Sequence, residues 1–192
     1  MLVYAFEKAL SAYNLFYSTS DLYAAMSNEL LHPDVLNVLQ SHSMPFKAIA
    51  CDPSLADTAD FCKHYDFSPD QSANTLLLGS TKGEPKFAAC VVLANCRLDV
   101  NKVVRKKLGV RRLSFATPEK TLELTGMELG GVTPFGLPDD LPLWIDSRVL
   151  NCEEIILGGG NRASKVLMAP AGLTKLPGLE VVEGLAFVIE PS

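Results

Sequence analysis

The chain has 192 residues, 17 Lys and Arg against 22 Asp and Glu, and 48% apolar residues, which suits one domain with a proper core or one domain plus a small appendage. A formal net charge of −5 argues against nucleic acid wrapped over the whole surface, so DNA is not an expected partner. No apolar run approaches the ~20 residues that span a bilayer, so no membrane partner is expected either.

The first sixteen residues include Glu7 and Lys8 and lack a basic start followed by a continuous apolar core, unlike a signal peptide. A cytoplasmic protein with reduced thiols is expected. The five cysteines, Cys51, Cys62, Cys90, Cys96 and Cys152, are odd in number and show neither a Cys-x-x-Cys nor a paired Cys/His spacing, so no metal or other cofactor is expected. His32, His42 and His64 are scattered, and no set of nucleophile, histidine and acid stands out.

Residues 1–31 read as an added helical extension. Leu2, Phe6, Ala9, Leu10 and Tyr13 fall at helical spacing, and Ser20-Asp21 can cap a second helix through Leu31. Pro33 opens a further helix, with Val35, Leu36 and Leu39 facing inward. A strand begins at Met44-Pro45-Phe46 and runs to Cys51, and Leu55 to Tyr65 reads as a surface helix. Asn74–Leu78 and Phe87–Leu93 form a hairpin of core strands. Asp99 caps a helix from Val100 to Leu108 that Gly109 ends. Leu113–Ala116 is a strand, and Thr117-Pro118-Glu119 starts a helix that stops at Gly126. The apolar segment Leu141–Ile145 follows, and then strands at Glu154–Leu157, Val166–Met168, Glu180–Val182 and Phe187–Ile189. Strands and helices do not alternate strictly, which disfavours a doubly wound parallel sheet.

Two stretches carry chemistry. Between Arg97 and Arg112 lie seven basic residues against the single acid Asp99; this is either a solvated helix face or a phosphate-contacting patch, with Lys102, Arg105 and Lys106 as its centre. From Gly130 to Gly136 the chain reads Gly-Gly-Val-Thr-Pro-Phe-Gly. Glycine lets another molecule approach the main chain and proline removes a donor, so this is a tight connection or a rigid loop whose N–H groups hold a ligand oxygen.

The run Gly130-x-x-x-Pro134, followed by Phe135-Gly136 and Ile145-Asp146, resembles the loop of the YbaK/ProX family of aminoacyl-tRNA editing domains. The resemblance continues through Val103-x-x-Lys106-x-Leu108-Gly109, Leu113-Ser114-Phe115-Ala116, Thr125-Gly126, Gly158-Gly159-Gly160-Asn161-Arg162 and Pro170-x-x-Leu173. It implies an editing-like domain over 32–192, an α/β (α+β-like) fold with a mixed, strongly curled sheet or barrel ringed by helices, and a partner in the acceptor end of a mischarged tRNA. It further implies hydrolysis of the aminoacyl ester by a positioned water, with the N–H groups of Gly131, Val132 and Thr133 around the scissile carbonyl or the water, Gly130 and Pro134 setting the shape of the loop, and Pro134, Phe135, Gly136, Asp146, Gly159, Gly160 and Arg162 in the substrate site.

The chain departs from that pattern at Asn74, where the family carries a lysine before Thr-Leu. Asparagine keeps hydrogen bonding and loses the charge. Two readings follow: a divergent deacylase, in which Lys165 or Arg162 supplies the lost cation, or a silent binding domain for an aminoacyl-adenosine-like or other small ligand. Period-two alternation puts Lys165 and Leu167 on one strand face and Val166 and Met168 on the other, so Lys165 enters the site only if its face is the pocket side.

Overall fold

A computed structural model describes residues 29–189. The expected helices of the extension lie outside the described residues, apart from Glu29 and Leu30, which are helical. No described helix is long and apolar enough to cross a membrane.

Helix α1 (Pro33–Ser41) starts on Pro33, with the His32 ring accepting from the Asp34 N–H, and buries Val35 and Leu39. Strand β1 (Lys47–Ala50) follows. The helix expected over 55–65 is broken in two, a 3-10 turn at Pro53–Leu55 and helix α2 (Thr58–Tyr65). Strands β2 (Ala73–Ser80) and β3 (Phe87–Leu93) form the expected antiparallel hairpin, and a short strand that the sequence reading missed, β4 (Cys96–Leu98), comes next.

Asp99 caps the following helix by accepting from the Lys102 N–H, but the first turn, Val100–Val104, is π-helical. Only Arg105–Leu108 (α3) is α-helical, and Gly109 ends it at φ 68°. Then come β5 (Leu113–Phe115), α4 (Pro118–Thr125), β6 (Leu143–Asp146), a 3-10 turn (Ser147–Asn151), β7 (Ile155–Gly158), β8 (Ser164–Met168), another 3-10 turn (Pro170–Lys175), β9 (Leu179–Val182) and β10 (Ala186–Val188).

The fold is mixed α/β. It does not contain the one strongly curled sheet or barrel that the resemblance implies: the described strands divide into three sheets, ordered β5-β2-β3-β6-β9, β1-β8-β7 and β10-β4, and none closes on itself. The reason lies in the pairing. The β2–β3 hairpin is extended by parallel β6 and β9, whereas β1, β8 and β7 pair only with one another, and a single bridge between Ser72 and Ile156 joins the two groups.

The main core lies between these sheets and includes Val35, Leu39, Leu78, Val91, Phe135, Ile145, Leu157 and Val166. A second, small cluster of Cys51, Ala56, Phe61 and Ile156 packs α2 onto the outer face of the three-stranded sheet. Leu167 of β8 packs against this cluster. The junction between the two clusters is where a cavity opens.

Candidate active site

The cavity measures about 250 Å3 and is bounded by the start of α2, the start of β2, the loop after α4 and the β7–β8 hairpin. Phe61, Leu129, Val132, Ile156 and Leu157 make its apolar wall, and Asp57, Thr58, Ser72, Asn74, Thr75 and Lys165 its polar one.

The loop is held by its main chain. Gly126 ends α4 at φ 70°. Gly130 turns the chain at φ 92°, where a Cβ would also run into the Arg162 guanidinium. Gly131 has its amide occupied: its N–H donates to the Glu128 carbonyl at 2.9 Å, and its carbonyl accepts from the Gly160 N–H at 2.8 Å. Among the described residues the N–H groups of Gly130 and Val132 have no hydrogen-bond partner, and both residues line the cavity. Thr133 is fully buried just behind, and its hydroxyl is unpartnered.

The rest of the motif serves the scaffold. Phe135 is a fully buried core residue, Pro134 is buried, and Gly136 turns at φ 74° where a Cβ would sit 3.0 Å from that of Asp34. None of the three lines the cavity. Gly159 donates to the Ser164 carbonyl and closes the β7–β8 turn, and Gly160, at φ 87°, is packed against His32 and Val35. Asp146 is also elsewhere. Its carboxylate is 1% exposed, accepts from the Arg148 guanidinium at 3.1 Å, and takes the Ala186 N–H at 2.8 Å.

Two cations from the β7–β8 hairpin stitch the loop to the segment ahead of α2. Arg162 donates from Nη1 to the Leu129 carbonyl (2.9 Å) and the Asp57 carboxylate (3.2 Å), and from Nε to the Pro53 carbonyl (3.0 Å). Lys165 donates to the Ala56 carbonyl at 2.7 Å and the Gly130 carbonyl at 2.9 Å. This accounts for the break in the expected 55–65 helix. The Ala56 carbonyl and Asp57 carboxylate bond to hairpin side chains, and Asp57 makes no capping bond to α2.

Lys165 lies on the face turned to α2, is only 6% exposed, and has its Nζ 5.3 Å from the centre of the Phe61 ring. Burial, the largest cause, pushes its ammonium below the usual lysine range. Arg162 does not line the cavity, and Lys165 does, alongside Asn74. The Asn74 amide oxygen accepts from the Thr58 hydroxyl at 2.5 Å, which leaves its NH2 donors for the cavity.

Lys102 and Lys106 are exposed and Arg105 half-buried on the π-turn and α3. None of the three makes an ion pair among the described residues. The neighbouring Lys107 pairs with Glu180 and lies over the Trp144 ring at 5.1 Å.

Sequence reasoning missed Asp57, Thr58 and Phe61, which a helix start displays only as an ordinary capping pattern. It also missed Gly158 as a wall of the cavity, although the glycine run itself is conspicuous. A Cβ there would lie 2.6 Å from the Gly131 carbonyl carbon, so the glycine permits main chain to pack on main chain.

Residues 52–176 match the family of the aminoacyl-tRNA editing domain. The uncharacterized protein YwhH of Bacillus subtilis (strain 168) is 30% identical over 96 residues, which span 50% of this chain and 60% of that protein. A solved structure of a candidate trans-editing enzyme for prolyl tRNA synthetase superposes with a TM-score of 0.66 and 26% identity, over 78% of this chain and 93% of its own. The hypothetical protein APE2540 shares the fold, with a TM-score of 0.68 and 22% identity over 78% and 97% of the two chains. Every residue named on the cavity wall falls inside the matched span, and the chain belongs to the aminoacyl-tRNA editing domain family.

Proposed function

We propose that the chain is a deacylase that removes a wrong amino acid from tRNA, by attack of water on the ester that links the amino acid to the terminal ribose. The water oxygen bonds to the carbonyl carbon, the bond to the ribose oxygen breaks, and that oxygen takes a proton, leaving free amino acid and tRNA. The ester is already activated, so positioning and stabilisation of the oxyanion can supply most of the acceleration.

One observation carries this reading: Gly130 and Val132, whose N–H groups have no partner among the described residues, line the same cavity as the buried Lys165. In such a site the two N–H groups, with Thr133 behind them, receive the carbonyl oxygen as it becomes negative. A volume of about 250 Å3 is smaller than the roughly 300–1,000 Å3 of pockets that enclose a drug-sized ligand, so it takes the aminoacyl group and leaves the adenosine at the mouth. Lys165 and Asn74 share the cavity wall, so the basic group of the site comes from β8 while β2 keeps a neutral amide.

The basic helix supports a tRNA partner. Leu76, on the cavity wall, is in register with Cys90, Trp144 and Glu180 across three strands. Residues in register share a sheet face, and Lys107 over Trp144 puts α3 on the face that Leu76 occupies. Lys102, Arg105 and Lys106 then hold phosphates of the acceptor end.

A panel of mischarged tRNAs tests the proposal. Release of one small class of amino acid, with correctly charged tRNA spared, is the expected result. Binding of aminoacyl-tRNA without hydrolysis of any member would refute it in favour of the silent binding domain.

A further inference from the structure

The hydrolysis proposed above leaves open which group takes the proton from the attacking water. Among the described residues no histidine lines the cavity, and its one carboxylate, that of Asp57, is bonded to Arg162. Lys165 is the remaining basic group in the wall, and its surroundings are unusual for a cation. It is buried, and both of its hydrogen bonds go to neutral main-chain carbonyls. No ion pair joins it to a carboxylate among the described residues.

A lysine nitrogen has four tetrahedral positions. One is Cε, and two are directed at the Ala56 and Gly130 carbonyls. The fourth is a third N–H in the ammonium and a lone pair in the amine. A neutral amine therefore satisfies both carbonyls in full and keeps its lone pair free, whereas the ammonium adds a buried charge with no counterion.

We propose that Lys165 is the general base of the reaction: its neutral amine, fixed by the carbonyls of Ala56 and Gly130, accepts a proton from the water that attacks the ester. The resulting ammonium then returns that proton to the ribose oxygen as the carbon–oxygen bond breaks, so the lysine ends as it began. Because Gly130 both anchors Lys165 through its carbonyl and lines the cavity with an N–H that has no partner among the described residues, one residue couples the position of the base to that of the loop. The inference rests on the deacylase reading.

The groups around Lys165 act in both directions. Burial is the largest and lowers its pKa, and Arg162 from the hairpin turn lowers it too; Cys51 after β1, Cys62 on α2 and Asp57 ahead of α2 raise it. The Phe61 ring on α2 also favours the cation. Cys51 is the largest of the opposing groups, and burial in turn raises its own pKa.

The experiment has two readouts. Protein labelled with 13C at lysine Cε is titrated across neutral and alkaline pH, with Lys165 assigned by through-bond correlation. Single-turnover hydrolysis of the mischarged tRNA selected by the panel is then measured over the same range, corrected for spontaneous hydrolysis. The expected result is a Lys165 midpoint below those of the surface lysines and a rate that rises with that same midpoint. Lys165→Met should lower the rate by roughly 10²–10⁴-fold and abolish the rising limb, and Lys165→Arg, which keeps the charge and offers no lone pair at these pH values, should be equally slow.

A Lys165 that titrates with the surface lysines overturns the base role alone, as does an active Lys165→Arg variant; both would point to a fixed cation. A depressed midpoint with no hydrolysis of any panel member overturns the deacylase reading, and the base role with it. The titration uses the native sequence, so it stands even if the variants fail to fold.

Discussion

Gly158→Ala changes one hydrogen for a methyl group, and its effect can be worked out from the geometry. Gly158 ends β7 opposite Lys165 and is not among the glycines with positive φ, so alanine meets no conformational penalty there. The methyl would lie 2.6 Å from both the Gly131 carbonyl carbon and the Val132 carbonyl oxygen. Carbon atoms sit about 3.5–4.0 Å apart at rest, so the loop must retreat by roughly 1 Å. Overpacking of this kind costs about 1–3 kcal/mol. At about 2–4 °C per kcal/mol for a domain of this size, Tm should fall by about 2–12 °C. The same retreat moves the Gly130 and Val132 N–H groups, and a misplacement of about 1 Å costs on the order of 10²-fold in rate. Thermal unfolding and single-turnover deacylation, both on the purified variant, read the two effects. A variant that unfolds and reacts like the parent would refute the packing of loop against hairpin. Lower stability with an unchanged rate would detach the loop from the chemistry.

Four further outcomes are expected. Asn74→Ala removes the acceptor of the Thr58 hydroxyl and should cost about 0.5–1.5 kcal/mol in denaturant unfolding, with weaker discrimination among aminoacyl groups in the panel. Charge reversal at Arg105 and Lys106 should weaken tRNA binding uniformly and reduce the salt slope by about 1 for each phosphate no longer neutralised, leaving amino-acid preference unchanged; binding that ignores salt would count against tRNA. Asp146→Ala, which strips the acceptor from Arg148 and the Ala186 N–H, should cost about 1.5–3 kcal/mol without altering the preference of the folded protein, whereas a changed preference would return Asp146 to the substrate site. The Cys90 thiol is pushed up to about 12 from an ordinary 9.0 by burial, so between those values the native state holds more protons than the unfolded chain, and stability should fall as pH rises. Cys90→Ala should remove that part of the slope in urea titrations, while the depressed Lys165 acts with opposite sign, raising stability with pH between its native midpoint and the usual lysine value.

The elements that were legible in the sequence are those specified by local chemistry. Asp99, Thr117 and Pro33 announce helix starts, and Gly109 and Gly126 announce stops, because each acts on its own turn. The β2–β3 hairpin is legible in two apolar runs flanking a polar turn. The Gly130–Gly136 stretch is conspicuous as irregular main chain, but which of its residues face a cavity depends on partners far along the chain: Phe135 belongs to the core, and Gly131 is occupied by Glu128 and Gly160. The break ahead of α2 is invisible locally because its cause, the donors on Arg162 and Lys165, lies 105 and 109 positions away. Lys165 shows the limit most clearly. Alternation in β8 assigns it a face, and only the packing of α2 over that face makes it a buried lysine in a cavity.

The central claim is that the aminoacyl carbonyl meets the main chain of the loop while the side chain of the amino acid fills the cavity. A crystal structure with an amide-linked aminoacyl-adenosine, which cannot be hydrolysed as an ester, tests this directly. The account predicts the carbonyl oxygen at about 3 Å from the N–H of Gly130 or Val132, the Lys165 nitrogen on the side from which water reaches the carbon, and the adenosine outside. An analogue with its carbonyl turned away from the loop, or seated outside the space between α2, β2 and the β7–β8 hairpin, would contradict it.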